Sequence, residues 1–157
     1  MKYIIWIIVL GVMIFLGYQF MGNDSVVSSG QQEVSVFFNE NKPTEVLQVA
    51  VKRGVAISDD EAVVALSTVR ELLKGPTVEE EGRGLLTAIP EGTEAYSVVI
   101  QDGVATVDFD ETFDLGVGGA TLVTAIREQV QQTLRQFTTI SYVRMTIDGG
   151  REAVLEP

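Results

Sequence analysis

A two-residue turn divides the apolar stretch Glu94–Phe109 into two halves that alternate in character. Asp102 and Gly103 both tolerate the positive φ that a type I′ turn needs, so the pattern predicts a β-hairpin. Pairing across this turn places six apolar side chains on one face, with Tyr96 opposite Phe109, Val98 opposite Val107 and Ile100 opposite Ala105. The other face receives Ser97 opposite Asp108 and Val99 opposite Thr106. A hairpin with one apolar face needs a covering layer, which the rest of the chain must supply.

Two segments with helical spacing of apolar residues flank this hairpin and are the expected cover. Ser58 and Glu61 fit a capping box that starts the first helix at Ser58, and Gly75-Pro76 ends it. The second helix is predicted over Ala120–Phe137. The predicted apolar stripes are Ala62, Leu66, Val69 and Leu73 in the first helix, and Leu122, Ile126, Val130, Leu134 and Phe137 in the second.

Shorter segments complete the predicted fold. Strand patterns cover Val34–Asn39, Leu47–Val55 and Tyr142–Ile147, a short edge strand is expected at Ala153–Leu155, and Thr77–Gly84 has room for one helical turn. The order β-β-α-β-β-α-β predicts an α+β domain. In that fold a small mixed or antiparallel sheet carries two helices packed on one face.

The N-terminal part of the chain has a different composition. Tyr3–Met21 contains no charged residue, and at ~1.5 Å per residue a helix there would span ~28 Å, close to the ~30 Å hydrocarbon core of a bilayer. We therefore predict a cytoplasmic start and transmembrane anchor over residues 1–21, a polar linker over 22–33 and the domain over 34–157. Lys2 precedes the segment and acidic residues follow it, which places the N-terminus inside and the domain outside the cytoplasmic membrane.

A cleaved signal peptide is the alternative for this N-terminal segment. The apolar core of a signal peptide is usually only ~7–15 residues long and is followed by a small-residue cleavage site. The nearest candidate site, Val27-Ser28-Ser29, fits that pattern poorly. The length therefore favours an uncleaved anchor.

Charge limits the partners of the external part. All 22 acidic residues and every basic residue except Lys2, 10 of 11, follow Met21, which gives a net charge of −12 beyond the anchor. Such a surface repels nucleic acid and anionic lipid head groups. A basic partner or simple solubility remains open.

Composition also limits the chemistry. The chain has no His and no Cys, which excludes Ser-His-Asp and Cys-His catalysis and Cys/His zinc sites. The acidic run Asp108–Asp114 departs from a calcium loop, because Phe113 and Gly119 occupy the positions that need Gly and Glu. The glycine-rich stretch Gly116–Gly119 matches neither a dinucleotide nor a Walker motif. We expect no catalytic residue, no metal and no cofactor.

Four polar or aromatic residues are candidates for an interaction or structural polar spot. Gln129 and Thr133 lie one helical turn apart beside the second apolar stripe, where they either bond the backbone of the loop 110–119 or form a recognition spot. Asp108 lies on the outer side of the hairpin. Tyr142 is the best outward-facing aromatic residue, since the only Trp, Trp6, lies in the predicted anchor.

Several short motifs in a fixed order make the chain similar to a known family. They are Leu72-Leu73-Lys74-Gly75-Pro76, Thr87-Ala88-Ile89-Pro90-Glu91-Gly92-Thr93, Asp102-Gly103-Val104-Ala105-Thr106-Val107-Asp108-Phe109, and Gln129 with Thr133-Leu134. Over roughly Val34 to Gly149 the chain resembles the GerM domain of bacterial sporulation, germination and envelope proteins. It departs from the pattern of many members in lacking a lipidated Cys, in Asp110 where Ser is common, and in Thr138-Thr139 where Pro is frequent.

The resemblance implies an extracytoplasmic α+β domain without known catalysis. GerM domains look like ring-building motifs, which assemble multimeric rings in secretion and sporulation channels, and they are linked to cell-wall remodelling. Together with the anchor, this predicts a non-catalytic module of cell-envelope or sporulation-related assembly that binds a protein partner or itself. The alternatives are a module that binds peptidoglycan or another wall ligand and, third, a hydrolase or metal-dependent enzyme.

Overall fold

The computed structural model describes residues 30–41 and 46–153. The predicted transmembrane segment Tyr3–Met21 lies outside these residues. Within them, no helix combines the length and the apolar character that crossing a bilayer requires. The anchor and the orientation of the domain therefore stay predictions.

The described part of the chain folds into two sheets and two long helices. In chain order the elements are β1 Gln31–Asn41, β2 Val46–Ala56, α1 Glu61–Leu73, α2 Val78–Gly82, β3 Leu85–Leu86, β4 Ala95–Gln101, β5 Val104–Phe109, a 3-10 helix Glu111–Asp114, α3 Ala120–Leu134, β6 Tyr142–Ile147 and β7 Arg151–Glu152. One sheet has the strand order β2-β1-β3 and the other β4-β5-β6-β7. The α+β class is as predicted.

The prediction of a single sheet is wrong. The first sheet is antiparallel, whereas the second is mixed because β5 and β6 run parallel. Both long helices contact strands of both sheets, α1 through β1, β2 and β4, and α3 through β1, β2 and β6. One continuous core joins buried side chains of both sheets and both helices. The alternation of apolar residues in a segment predicts a strand but not the strand with which it pairs. The sequence therefore could not show that the strands form two sheets.

The β4–β5 hairpin has the predicted turn and most of the predicted register. Asp102 and Gly103 have φ values of 51° and 80°, as a type I′ turn requires. Val98 pairs with Val107 and Ile100 with Ala105. The apolar face points into the core as expected.

The predicted pairing of Tyr96 with Phe109 is wrong. A β-bulge lies between Ala95 and Ser97, so that Ala95 pairs with Phe109 and Tyr96 is the extra residue. Ala95 is buried and Tyr96 is exposed. An extra residue reverses the in-out alternation beyond it, and the apolar pattern of the sequence carries no sign of this change.

Helix α1 begins two residues later than predicted. Its N-cap is Asp60, whose carboxylate accepts the N–H of Ala62 at 2.9 Å, whereas the Ser58 hydroxyl accepts the N–H of Asp60 at 3.1 Å. Gly75, with φ 75°, ends the helix as predicted. The buried face is rotated from the predicted stripe and consists of Val64, Ala65, Thr68, Val69 and Leu72.

Helix α3 begins where predicted but ends at Leu134 instead of Phe137. Ile126, Val130 and Leu134 are fully buried, while Leu122, at the start of the predicted stripe, is exposed. Phe137 lies beyond the helix and still packs against the core.

The strands at the two ends of the domain differ in their fit to the prediction. Strand β6 has the predicted bounds, with Val143, Met145 and Ile147 buried. Strand β1 starts at Gln31, inside the predicted linker. Strand β7 starts at Arg151, two residues before the predicted edge strand, whose last two residues lie outside the described part of the chain.

Candidate functional site

Polar side chains of α3 and of Gln136, two residues after its end, complete one edge of β1. The side-chain amide of Gln136 donates to the carbonyl of Ser35 at 2.7 Å and accepts its N–H at 2.8 Å. Thr133 Oγ1 accepts the N–H of Phe37 at 3.1 Å, and Gln129 Nε2 donates to the carbonyl of Phe37 at 3.1 Å. The helix thus satisfies the backbone of β1 as a neighbouring strand would.

Gln129 joins three separate segments of the chain. Its Oε1 accepts the N–H of Ala88 at 2.6 Å and Nδ2 of Asn39 at 3.0 Å, in addition to the bond of its Nε2 to Phe37. Gln129 and Thr133 are both fully buried. Their bonds run to β1 and to Ala88, not to the loop 110–119 that the sequence suggested. These two residues therefore act inside the fold, away from any surface on which a partner could lie.

Gln136 is the member of this group that the sequence analysis missed. It follows Gln129 by seven residues and Thr133 by three, a spacing that places all three on one helical face. That spacing was the available signal. The sequence analysis passed over Gln136 because it stands next to the apolar Phe137, the last residue of the predicted stripe.

Asp108 holds the turn between β6 and β7 against β5. Its carboxylate accepts the hydroxyl of Thr146 at 2.7 Å and the N–H of Gly149 at 3.0 and 3.1 Å. Asp148, just before Gly149, has a φ of 49°. The carboxylate of Asp108 is therefore fixed in place by neutral donors.

The outward side of the second sheet, which we call the open face, contains the remaining candidates. Helices α1 and α3 cover the opposite side, where Val98, Val107 and Val143 are buried. The open face is formed by Ser97, Val99, Gln101, Val104, Thr106, Asp108, Tyr142 and Arg144, and Tyr96 projects from the bulge at its edge. Asp108 and Tyr142 thus share this face, whereas Gln129 and Thr133 lie elsewhere.

The open face and its edge carry three of the exposed large apolar or aromatic side chains. Tyr142 is 55% exposed, Val99 56% and Tyr96 51%. Within residues 30–41 and 46–153, the five phenylalanines, namely Phe37, Phe38, Phe109, Phe113 and Phe137, are all buried or half-buried. Tyrosine is enriched in protein interfaces, so these two exposed tyrosines are candidates for contacts with a partner.

Negative charge surrounds Tyr96. Partial desolvation of the Tyr96 hydroxyl raises its pKa above the ordinary value, and the carboxylates of Asp148, Asp110, Glu94 and Asp108 raise that pKa further. None of these four carboxylates forms an ion pair with another residue of the described part of the chain. Asp110 accepts the N–H of Glu94 at 2.9 Å, so its carboxylate too is held by a neutral donor.

A shallow groove of about 420 Å³ borders Tyr96 on the side of α1. Its two cations already have partners. Arg70 donates to the carbonyl of Ala95 at 3.1 and 3.3 Å, and Lys74 pairs with Glu71. The charge of Lys74 is balanced by Glu71, whereas Arg70, bonded to a neutral carbonyl oxygen, keeps its positive charge beside Tyr96.

The open face can make contacts, and its side chains do not form a recognisable set for bond-making chemistry. Within the described residues, no three acidic side chains come together in a way that would hold a metal ion. Asp114, at the end of the acidic loop, pairs with Arg151 at 3.3 Å. Hydrogen bonds, apolar burial and charge are what this surface provides.

The sequence and the fold of this chain are similar to those of known proteins. Residues 35–153 match the Germane family, described as sporulation and spore germination. Among solved structures, the chain is similar to the tandem GerMN domains of the sporulation protein GerM from Bacillus subtilis, with a TM-score of 0.64 and 18% identity over 85% of this chain and 47% of that one. The chain thus spans about half the length of the tandem structure.

Two further solved structures share the fold. A putative lipoprotein from Clostridium perfringens has a TM-score of 0.53 and 19% identity over 83% of this chain and 81% of that one. The first GerMN domain of GerM from Bacillus subtilis has a TM-score of 0.52 and 23% identity over 76% and 85% of the two chains. At these identities the likeness shows the fold alone. No curated protein matches the sequence.

Proposed function

The chain belongs to the Germane family of sporulation and spore germination domains, and from this premise we propose that it is a non-catalytic interaction module of a cell-envelope assembly. In this proposal the domain lies outside the cytoplasmic membrane and is held there by the N-terminal segment. It contacts a protein partner through the open face. The fold, with its open face away from both long helices, supports this assignment.

The observation that carries the proposal is that Val99 and Tyr142, each more than half exposed, lie together on one outward sheet face that neither long helix covers. Covering the exposed half of a side chain such as Val99 or Tyr142 stabilises a complex by roughly 1 kcal/mol before the costs of association are subtracted. A partner that covers both gains an apolar centre of the kind found in specific interfaces.

A wall ligand is the second candidate, and the same two tyrosines favour it. Tyr96 and Tyr142 lie on one sheet and are both about half exposed, and aromatic rings beside polar side chains are a common surface for sugars. Sedimentation of the full chain with isolated cell wall separates this reading from a protein partner. Co-sedimentation that is lost in both Tyr96→Ser and Tyr142→Ser would move the assignment to wall binding.

Site-specific photo-crosslinking in the native host tests the protein-partner proposal directly. A photoreactive side chain is placed at Val99 or Tyr142 on the open face and, as the control, at Gln132, which is exposed on α3. We expect discrete high-mass adducts from the first two positions and none from Gln132. The absence of adducts at Val99 and Tyr142, or equal adducts at all three, would contradict the proposal.

A further inference from the structure

We propose that the free edge of β4 accepts an extended segment of the partner protein as an added strand. This inference rests on the proposed function, because it names the structural element with which the partner reaches the open face. The segment carries apolar side chains at every second position, and it lies in the groove between β4 and α1.

The unpaired backbone of β4 is the first argument. Strand β4 lies at one end of its sheet, and Gln101 and Val104 flank the two-residue turn as a hydrogen-bonded pair. Alternation along the strand then directs the N–H and C=O groups of Val98 and Ile100 away from β5. Within the described residues, no other group bonds to them on that side. Such an edge is a template for pairing with a further strand.

The flank of α1 beside this edge is the second argument. Arg70 donates to the carbonyl of Ala95 on β4, so this side of the helix lies against the edge strand. Leu66 and Leu73 share that side with Arg70, at the spacing i, i+4 and i+7. Both leucines pack against the core but are only half-buried. The apolar stripe of α1 is thus wider than the face that the described chain covers.

The groove between these two features selects an extended occupant. Arg70 and Leu73 line it on the side of α1, and Ala95 and Tyr96 line it on the side of β4. A strand satisfies both walls, because its backbone pairs with β4 while every second side chain covers the leucines. A helix would cover the leucines but has no free backbone groups along its length to pair with β4.

Continuity with the open face is the third argument. A strand added beside β4 extends the sheet whose outward side is the open face. Its side chains that point away from the core then lie next to Tyr96 and Val99, which are both about half exposed. A partner that inserts such a segment therefore also reaches the surface through which we propose that it binds.

The edge of β2 is less suited to an added strand, although it is 11 residues long. It carries an exposed Lys52 and an Arg53 whose largely buried side chain pairs with Glu80. Charged side chains in these positions oppose pairing at an edge. Strand β4 has no charged residue, and its bulge lies before Val98, so the strand is regular beyond that point.

Nuclear magnetic resonance on the full chain in neutral detergent micelles tests the inference with a synthetic peptide. The probe has six alternating threonine and valine residues between two lysines, with both ends blocked. We expect binding to slow amide hydrogen exchange at Val98 and Ile100. Exchange at Ala50 and Lys52 on β2 is the control and should not change.

Two methylated forms of this peptide separate strand pairing from nonspecific apolar binding. N-methylation of the valines removes one set of N–H donors, and N-methylation of the threonines removes the other. In an added strand only one set points at β4. We expect one form to bind about tenfold more weakly than the unmodified peptide and the other to stay within about twofold. Equal binding of the two forms would overturn the inference.

The apolar flank of α1 has its own pair of variants. Leu66→Ala should weaken peptide binding about threefold, because it removes apolar surface that the segment covers. Val78→Ala, which shortens an exposed side chain of α2, should bind like the wild type. No binding of the unmodified peptide at millimolar concentration would also overturn the inference. Adducts at Val99 and Tyr142 without peptide binding would leave the proposed function standing and refute only the added strand.

Discussion

Glu80 lies at the centre of a buried ion pair and a helix cap. Its carboxylate pairs with both terminal nitrogens of Arg53, at 2.6 and 2.9 Å, and accepts the N–H of Thr77 at 2.8 Å. Both side chains of the ion pair are largely buried, and the Arg53 guanidinium lies 5.7 Å from the ring centre of Phe38. The hydrogen bonds from Arg53 lower the pKa of Glu80 to about 2, although burial opposes this shift.

This pKa predicts a stability change at acid pH. Because the folded-state pKa of about 2 lies below the ordinary value of 4.5, the pair stabilises the fold above that ordinary value and loses its contribution as the pH falls through the folded-state pKa. Urea unfolding should show Glu80→Gln less stable than the wild type by about 2–3 kcal/mol near neutral pH. The difference should shrink toward zero near pH ~2. A difference that does not depend on pH would contradict the account.

Gln129 makes a second residue-scale prediction. Gln129→Leu keeps the side-chain size but leaves the N–H of Ala88, the carbonyl of Phe37 and one bond of Asn39 without their partner. Urea unfolding should show a loss of about 3 kcal/mol in the free energy of unfolding. The control Gln132→Leu, on the exposed side of the same helix, should stay within about 0.5 kcal/mol of the wild type. Equal effects of the two substitutions would show that Gln129 does not join the three segments.

At the scale of residues, the sequence identified important polar residues but did not identify the groups that they contact. The spacing of Gln129 and Thr133 indicated polar groups beside an apolar stripe, and both are used. Their main partner, Phe37, precedes them by more than ninety residues. A contact over that separation depends on how the helices and sheets pack, which local spacing does not contain.

At the scale of elements, the β4–β5 hairpin was the most predictable part, because turn chemistry and alternation agree within one short segment. The two sides of this hairpin supply a matched pair of variants. Val107→Asp places a charge in the fully buried core and should abolish cooperative thermal unfolding, at a cost above about 4 kcal/mol. Val99→Asp on the open face should leave the melting temperature nearly unchanged. Retained cooperative unfolding in Val107→Asp would refute the register.

The turn of this hairpin gives a further test. Gly103 has a φ of 80°, and a Cβ there would lie 3.3 Å from the hydroxyl of Ser141. Gly103→Ala should therefore lower stability by about 1–2 kcal/mol, from the strained backbone and the close approach together. Gly82→Ala, in α2 with open space around it, should be neutral or slightly stabilising. Differential scanning calorimetry measures both, and a neutral Gly103→Ala would contradict the turn assignment.

Some element boundaries could not be predicted because two residues compete to cap the same helix. Others could not be predicted because a strand pairs with residues far away in the sequence. Ser58 and Asp60 can both cap a helix, and the fold selects Asp60. Strand β3 has only two residues, and it pairs with Asn39 and Glu40 far earlier in the chain. Beyond that short pairing, side chains of α3 occupy the edge of β1, which ends the first sheet and leaves the second sheet separate.

In the whole molecule, the polar groups divide into two sets with different tasks. Gln129, Thr133 and Gln136 are used inside, where they join α3 to the first sheet. The open face of the second sheet carries Val99 and Tyr142, which are more than half exposed and through which we propose that a partner binds. The sequence alone pointed to members of both sets, Gln129 and Tyr142 among them, but it did not separate them, since burial follows from the packing of the two sheets.

The predicted anchor determines where the open face would lie relative to the membrane. A domain held at the outer surface of the membrane by residues 1–21 would present its open face to other envelope proteins. Repulsion by the net charge of −11 on the chain disfavours contact with anionic lipid. In the proposed arrangement the open face would then be free for a protein partner, even close to the membrane.

Light scattering after size exclusion, on the full chain extracted from native envelopes in mild detergent, tests the central claim most directly. The comparison is between the wild type and Val99→Ser/Tyr142→Ser, two exposed substitutions that should not change the unfolding temperature. The account predicts that the wild type elutes in a complex heavier than one chain with its detergent, and that the double variant elutes as the single chain. The same heavy complex in both, or a single chain in both, would contradict it.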